Sequence, residues 1–64
     1  MSNLLKALRK KLRGDIAVAK ANIQVYQIHP SGIGEHPDLV EAVESQIEII
    51  AEAEDKIQVI KKYF

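Results

Sequence analysis

Two histidines in the middle of the chain are the residues whose types and spacing most directly suggest chemistry. His29 and His36 are separated by six residues, and Glu35 and Asp38 lie beside the second histidine. Imidazole and carboxylate groups are ligands that zinc and nickel accept. The spacing does not match a specific metal motif, and the chain has no cysteine that could add thiolate ligands. A metal site in this loop is therefore kept as an alternative; no residue is assigned as a metal ligand and no cofactor is predicted.

The segment around these histidines, IHPSGIGEHPD, is first of all typical of a turn between two helices. Pro30 lacks an amide hydrogen and pushes His29 out of the helical region, so a first helix should end just before His29. Gly32 and Gly34 can take the positive φ that a chain reversal needs. The residue types thus favour a structural role for this segment, as a bend, over a role as a binding site.

This loop is also a candidate docking surface, because ordered surface loops often carry recognition. Ile33 is its one large apolar residue and is expected to fold back over the open end of the helices. If the loop binds a partner, the candidate residues are His29, Ile33, Glu35 and His36.

A second candidate is the basic start of the chain, LLKALRKKLR, which has the pattern of an amphipathic helix. It offers an alternative function in nucleic-acid binding through phosphate contacts or, less favoured, in binding an anionic membrane surface. The patch consists of Lys6, Arg9, Lys10, Lys11 and Arg13. Against both functions, the formal net charge is zero, and residues 35–55 contain eight acidic side chains without a lysine or arginine. Such a chain lacks the long-range attraction of most nucleic-acid binders.

Catalysis is not predicted. The three serines have no histidine and acid arranged around them as a nucleophilic site requires. The carboxylates Glu41, Glu44, Glu48 and Glu52 recur every three or four residues, which is typical of a solvated helix face. Carboxylate metal centres of helix bundles use Glu-x-x-His pairs, and this chain has none.

The elements that must position these residues are two helices. Apolar residues three and four apart predict a first helix over residues 3–28, through Leu5, Leu8, Leu12, Ile16, Ala19, Ile23 and Tyr26. Gly14 within it allows a kink or short break, with Asp15 able to cap a new start. The same spacing predicts a second helix over residues 38–63, through Val40, Val43, Ile47, Ile50, Ala53, Ile57, Ile60 and Phe64.

The start of the second helix has two interpretations. Asp38 and Glu41 can form a capping box, or Pro37 can be the first helical residue with His36 as its cap. At the other end, Lys61 and Lys62 lie near the last carbonyl groups, where cations are favoured.

A connection this short, residues 29–37, predicts an antiparallel helical hairpin, and we expect one all-α domain over residues 1–64. The acids Glu52, Glu54 and Asp55 should then lie opposite the basic patch. Apolar residues beyond the main stripes widen both apolar faces: Leu4, Val18 and Val25 in the first helix, and Leu39, Ala42, Ile49 and Val59 in the second. A single neighbouring helix covers only a narrow seam, and a chain of 64 residues without disulfides buries little surface. We therefore predict a homodimer in which two hairpins form a four-helix bundle.

Two segments, GIGEHPD at residues 32–38 and AEDKIQVIKKYF at residues 53–64, resemble small helical proteins of marine tailed phages, including those that infect cyanobacteria. The resemblance extends over about residues 15–64. It implies a viral source, expression in a bacterial cytoplasm and an accessory role towards a host or viral protein. It implies no activity and assigns no catalytic residue.

Together these observations predict a small structural or protein-interaction protein. The charged start has no uninterrupted apolar run typical of a secretory signal, and no segment has the roughly 20 apolar residues that span a bilayer. A cytoplasmic protein without a membrane span is the expectation.

Overall fold

Two long helices pack side by side in the computed structural model, which describes residues 2–29 and 38–64. Helix α1 spans Asn3–Ile28 and helix α2 spans Leu39–Tyr63. The predicted all-α class and the antiparallel hairpin are confirmed. In these two segments no helix is long and apolar enough to cross a membrane. The expected roles of Ile33, the loop glycines and Pro37 fall outside the described residues.

The ends of α1 are fixed by local hydrogen bonds. At the start, the Leu5 amide donates to Ser2 Oγ at 3.2 Å, so Ser2 is the cap. At the end, His29 leaves the helical region with φ −130° and ψ 73°, and its amide donates to the Val25 carbonyl at 2.7 Å. The predicted end at Ile28 is confirmed, and the restriction that Pro30 places on the preceding residue accounts for it.

Helix α1 continues without interruption through Gly14, so the break allowed by the sequence does not form. Asp15 is not a cap; its Oδ2 accepts a hydrogen bond from Lys11 Nζ at 2.8 Å, one turn earlier. Glycine costs about 1 kcal/mol relative to alanine in a helix. The packing of Leu12 and Ile16, which flank Gly14 and both join the core, outweighs that cost.

Asp38 is the residue that starts α2. Its Oδ1 accepts a hydrogen bond from the Glu41 amide at 2.9 Å, which favours the interpretation with Asp38 as cap over the one with His36. Glu41 lies in the first turn, while Lys61 and Lys62 lie in the last. The charges thus oppose the helix dipole at both ends, as predicted.

The core is a single narrow seam between the helices. Leu12, Ala53 and Ile60 are at most 4% exposed, with Leu5, Ile16 and Ile57 packed around them. Ala19 of α1 is also buried. The buried line of α2 therefore passes through Ala53 and Ile60, seven residues apart. All the remaining side chains of the hairpin are arranged around this seam.

Four residues assigned to the main apolar stripes lie at the surface. Leu8, Val40, Ile47 and Phe64 are all exposed, with Ile47 at 52%. The reason is geometric: the seven-residue line through Ala53 and Ile60 extends to Gln46 and Leu39, so Val40 and Ile47 lie one position to the side. One neighbouring helix cannot cover both positions.

The hairpin is elongated, with principal extents of 44 × 15 × 15 Å. Its radius of gyration is 14.5 Å, compared with about 11 Å for a compact domain of this length. A long rod of two helices leaves two broad sides open, and these sides carry the candidate site.

Candidate interaction surface

The most unusual feature of the surface is its large apolar content. The exposed large apolar residues are Leu4, Leu8, Val18, Val25 and Ile28 in α1, and Val40, Ile47, Ile49, Val59, Tyr63 and Phe64 in α2. Single exposed apolar residues are ordinary, whereas rows of them mark binding surfaces. Helical spacing sorts most of these residues into two rows, one on each open side of the hairpin.

The first row, here called flank A, combines apolar residues with charged ones. Its members in α1 are Leu4, Leu8, Lys11, Asp15, Val18 and Val25, and in α2 they are Ile49, Glu52, Lys56, Val59 and Tyr63. Successive members are three, four or seven residues apart, so they share one side of each helix. A cavity of about 250 Å³ joins the two halves, because Asp15 and Val18 of α1 line it together with Ile49 of α2.

A hydrogen bond between the helices lies at the bottom of flank A. Asn22 Nδ2 donates to Gln46 Oε1 at 3.0 Å, and the pair is partly buried. Because this bond joins one residue of each helix, it reports the register of the hairpin. Both residues also line the cavity. No local sequence pattern indicates this pair, since only the register of the two helices brings the two positions together.

The opposite side, here called flank B, is apolar in α2 and basic in α1. Its α2 members are the exposed Val40, Ile47 and Phe64 with the half-buried Val43, Ile50 and Ile57. In α1 the half-buried Ile16 and Ile23 are bordered by Lys6, Arg13 and Lys20, each seven residues after the last. A seven-residue interval returns nearly to the same side of a helix. Flank B therefore has a positively charged edge.

The structure divides the predicted basic patch. At 3.6 residues per turn, Lys6, Arg9, Lys10 and Arg13 lie within an arc of about 100°. Lys11 points to flank A, where it pairs with Asp15. Lys20 extends the arc by about two further turns; its seven-residue spacing from Arg13 is the signal in the sequence that could have identified it.

The predicted pairing of opposite charges across the hairpin does not form close contacts. In residues 2–29 and 38–64 the ion pair within 4.0 Å is Lys11–Asp15, which lies within one helix. Glu52, Glu54 and Asp55 are exposed. At the register set by the Asn22–Gln46 hydrogen bond, these three acids lie level with residues 13–16, whereas Lys6 lies level with Lys62, so the expected match of signs holds only near Arg13. In the described residues, the side chains of the two helices meet through apolar contacts and an amide hydrogen bond.

The candidate loop site can be located only in part. His29 is exposed at the end of α1, while Ile33, Glu35 and His36 lie outside the described residues. In the part of the chain that the structure describes, no group of three or more potential metal-ligating side chains forms. The row of Glu41, Glu44, Glu48 and Glu52 is exposed along α2. The metal and docking hypotheses for the loop remain predictions.

No family model, curated protein or solved structure matches this chain. The fold and its two flanks define an all-α helical hairpin with uncovered apolar sides. The resemblance to phage proteins stays a prediction. The features of the hairpin that bear on function are the exposed residues of flanks A and B.

Proposed function

We propose that this chain is a small structural or protein-interaction protein that works as a homodimer, with two hairpins forming a four-helix bundle. The observation that carries the proposal is the set of large apolar side chains left exposed by a single hairpin, among them Val18 at 62% and Ile47 at 52%. Apolar surface of this extent is removed from water when another helical surface covers it. No catalytic step is assigned to the chain.

Surface area supports the same proposal. The chain exposes 5089 Å², about 1,000 Å² more than the roughly 4,100 Å² expected for a compact monomer of 7.2 kDa. A standard stable interface buries about 800 Å² on each partner. Association with one further hairpin would therefore bring the exposed area of each chain close to that of an ordinary small protein.

The experiment that tests this proposal is light scattering on a size-exclusion column, with helicity followed by circular dichroism. We expect a particle of twice the 7.2 kDa of one chain at micromolar concentration. A folded monomer at that concentration would contradict the proposal.

The double variant Val18→Lys/Ile47→Lys, with one charge on each flank, should be monomeric. Its matched control, Ala17→Lys/Gln24→Lys, adds the same charges at exposed positions on the side of α1 that faces away from α2 and should remain dimeric.

The biological context of the proposal rests on the resemblance of residues 32–38 and 53–64 to phage proteins. It supports an accessory factor that acts in a bacterial cytoplasm on a host or viral protein. In that case the dimer would be the scaffold, and the second partner would use a surface that the dimer leaves free.

Nucleic-acid binding is a second candidate, favoured by the arc of Lys6, Arg9, Lys10 and Arg13 that Lys20 extends. Phosphate contacts make such binding steeply dependent on salt. A mobility shift with duplex DNA that weakens with added salt and disappears in Arg9→Gln/Lys10→Gln/Arg13→Gln would support it. The absence of a shift at low salt would remove it.

A further inference from the structure

Flank A has two charged residues between apolar ones in both helices, and the order of the two charges is reversed between α1 and α2. Along α1, Leu8 precedes Lys11 and Asp15, and Val18 follows them. Along α2 the order is Ile49, Glu52, Lys56 and Val59. In each helix two opposite charges one turn apart thus lie between apolar residues. A row of this kind is complementary to itself when a second copy runs in the opposite direction.

A two-fold interface requires this type of self-complementarity, because residue i contacts residue j and residue j contacts residue i. An antiparallel α1–α1 pair centred midway between Lys11 and Asp15 places each of these charges opposite the other charge of the second copy. It also places Leu8 opposite Val18. The centre of this pairing falls at Arg13.

The same operation applied to α2 places Glu52 opposite Lys56, and Ile49 opposite Val59, when the pairing is centred at Glu54. In the described residues of a single chain, Glu52 and Lys56 do not form an ion pair. A second copy would give both of them a partner of opposite sign.

The two centres must lie at the same height if one axis is to serve both helices. The register is known from the hydrogen bond between Asn22 and Gln46. Arg13 is nine residues before Asn22, and nine residues after Gln46 is Asp55, the neighbour of Glu54. The two centres therefore differ by one residue, or about 1.5 Å along the helix. One two-fold axis that lies within the flank A interface, perpendicular to the helix axes, satisfies both helices.

We infer that flank A is the dimer interface and that its occupant is a second copy of this chain. Helix α1 packs on α1 and α2 on α2, with the connecting loops at opposite ends of the bundle. Lys11–Asp15 and Glu52–Lys56 contacts are exchanged between the copies. This inference rests on the proposed self-association and adds its surface, its direction and its charge pairs.

Flank B does not offer the same match. If two copies met there in the same way, the basic edge of Lys6, Arg13 and Lys20 would face itself. Like charges brought together across an interface oppose association. That edge is better placed on the outside of the dimer, where it remains open to a different partner.

The inference is tested by mixing two charge variants. Lys11→Glu leaves two acidic positions in the centre of flank A on α1, and Asp15→Lys leaves two basic ones. Each variant alone should dimerise about tenfold more weakly than the wild type, because like charges then meet across the axis. The two variants are then mixed in equal amounts, with one chain labelled with ¹⁵N, and the fraction of heterodimer is measured by native mass spectrometry. We expect this fraction to exceed the one that random pairing gives.

Mixing separates contacts between copies from contacts within a helix. Both variants lose the Lys11–Asp15 bond of their own helix, and mixing cannot restore it, so recovery on mixing reports a contact between copies. Lys10→Glu and Asp55→Lys make the same charge changes at exposed positions outside flank A and should pair at random. The exchange variant Lys11→Asp/Asp15→Lys keeps both charges and should dimerise like the wild type. Circular dichroism confirms that each variant is helical.

The outcomes distinguish this inference from the proposed function. Random pairing of Lys11→Glu with Asp15→Lys, with dimers still formed, would overturn the inference and leave self-association in place. Failure of the mixture to dimerise, while the controls dimerise, would also overturn it. A wild-type chain that stays monomeric would remove the proposed function itself, and the inference with it.

Discussion

Asp38 is the residue with the most sharply defined local role. The Glu41 amide donates to its carboxylate at 2.9 Å, and this bond satisfies one of the amides that a helix start leaves without a partner. Asp38→Ala should lower the free energy of unfolding by about 1 kcal/mol, whereas Asp38→Asn keeps an acceptor and should lose less. Urea unfolding followed by circular dichroism, at one fixed protein concentration, measures both. Equal stability of the alanine variant and the wild type would show that the cap does not matter.

Residues with local roles could be predicted from the sequence, and residues with roles across the hairpin could not. Asp38 and His29 act on neighbours within four positions, so the sequence indicated Asp38 as one of two possible caps and predicted the end of α1 from the effect of Pro30, whereas the Ser2 cap was not predicted. The Asn22–Gln46 bond joins residues 24 positions apart. Its existence depends on the register of two helices, which no local pattern encodes.

At the scale of the helix, α1 is one continuous element because packing outweighs a weak local preference. The sequence allowed a break at Gly14, and propensity alone gives no means to decide. Leu12 on one side of that glycine belongs to the core and Ile16 on the other side packs against it, so a break would disturb the packing of at least one of them. The existence of both helices followed from apolar periodicity; this detail required the tertiary contacts.

Gly14→Ala should therefore stabilise the chain. An added Cβ would have no neighbouring atom within 4 Å, and the position is helical, so alanine restricts the unfolded chain without straining the folded one. We expect a gain of about 0.5–1 kcal/mol in the free energy of unfolding. Gly14→Pro is the opposing variant and should cost about 3 kcal/mol or more. Thermal unfolding of the three proteins compares them; a loss of stability in the alanine variant would indicate that the glycine serves a contact outside the single hairpin.

At the scale of the whole molecule, the hairpin and the proposed dimer are both inferred from the same apolar pattern. The buried line repeats every seven residues, through Ala53 and Ile60, and is as narrow as one neighbouring helix requires. The apolar residues beside it, such as Val18 and Ile49, are too many for that neighbour. The sequence could therefore predict the hairpin, and the larger bundle stays a prediction. The flank that the proposed dimer would cover could not be chosen from the sequence, because that choice depends on the order of charges at a known register.

If a second copy supplies much of the burial, stability must depend on protein concentration. When folding is coupled to dimerisation, mass action lowers the free energy of unfolding by about 1.4 kcal per mole of dimer for each tenfold dilution. Dividing this loss by the unfolding entropy of the 128 residues in two such chains predicts that Tm falls by about 5 °C for each tenfold dilution. Circular dichroism over a hundredfold range of concentration measures the shift. The Val18→Lys/Ile47→Lys variant, as a monomer, should melt at a lower temperature that does not change with dilution. A wild-type Tm that stays constant over the same range would mean that the narrow seam of Leu12, Ala53 and Ile60 stabilises the hairpin without a partner.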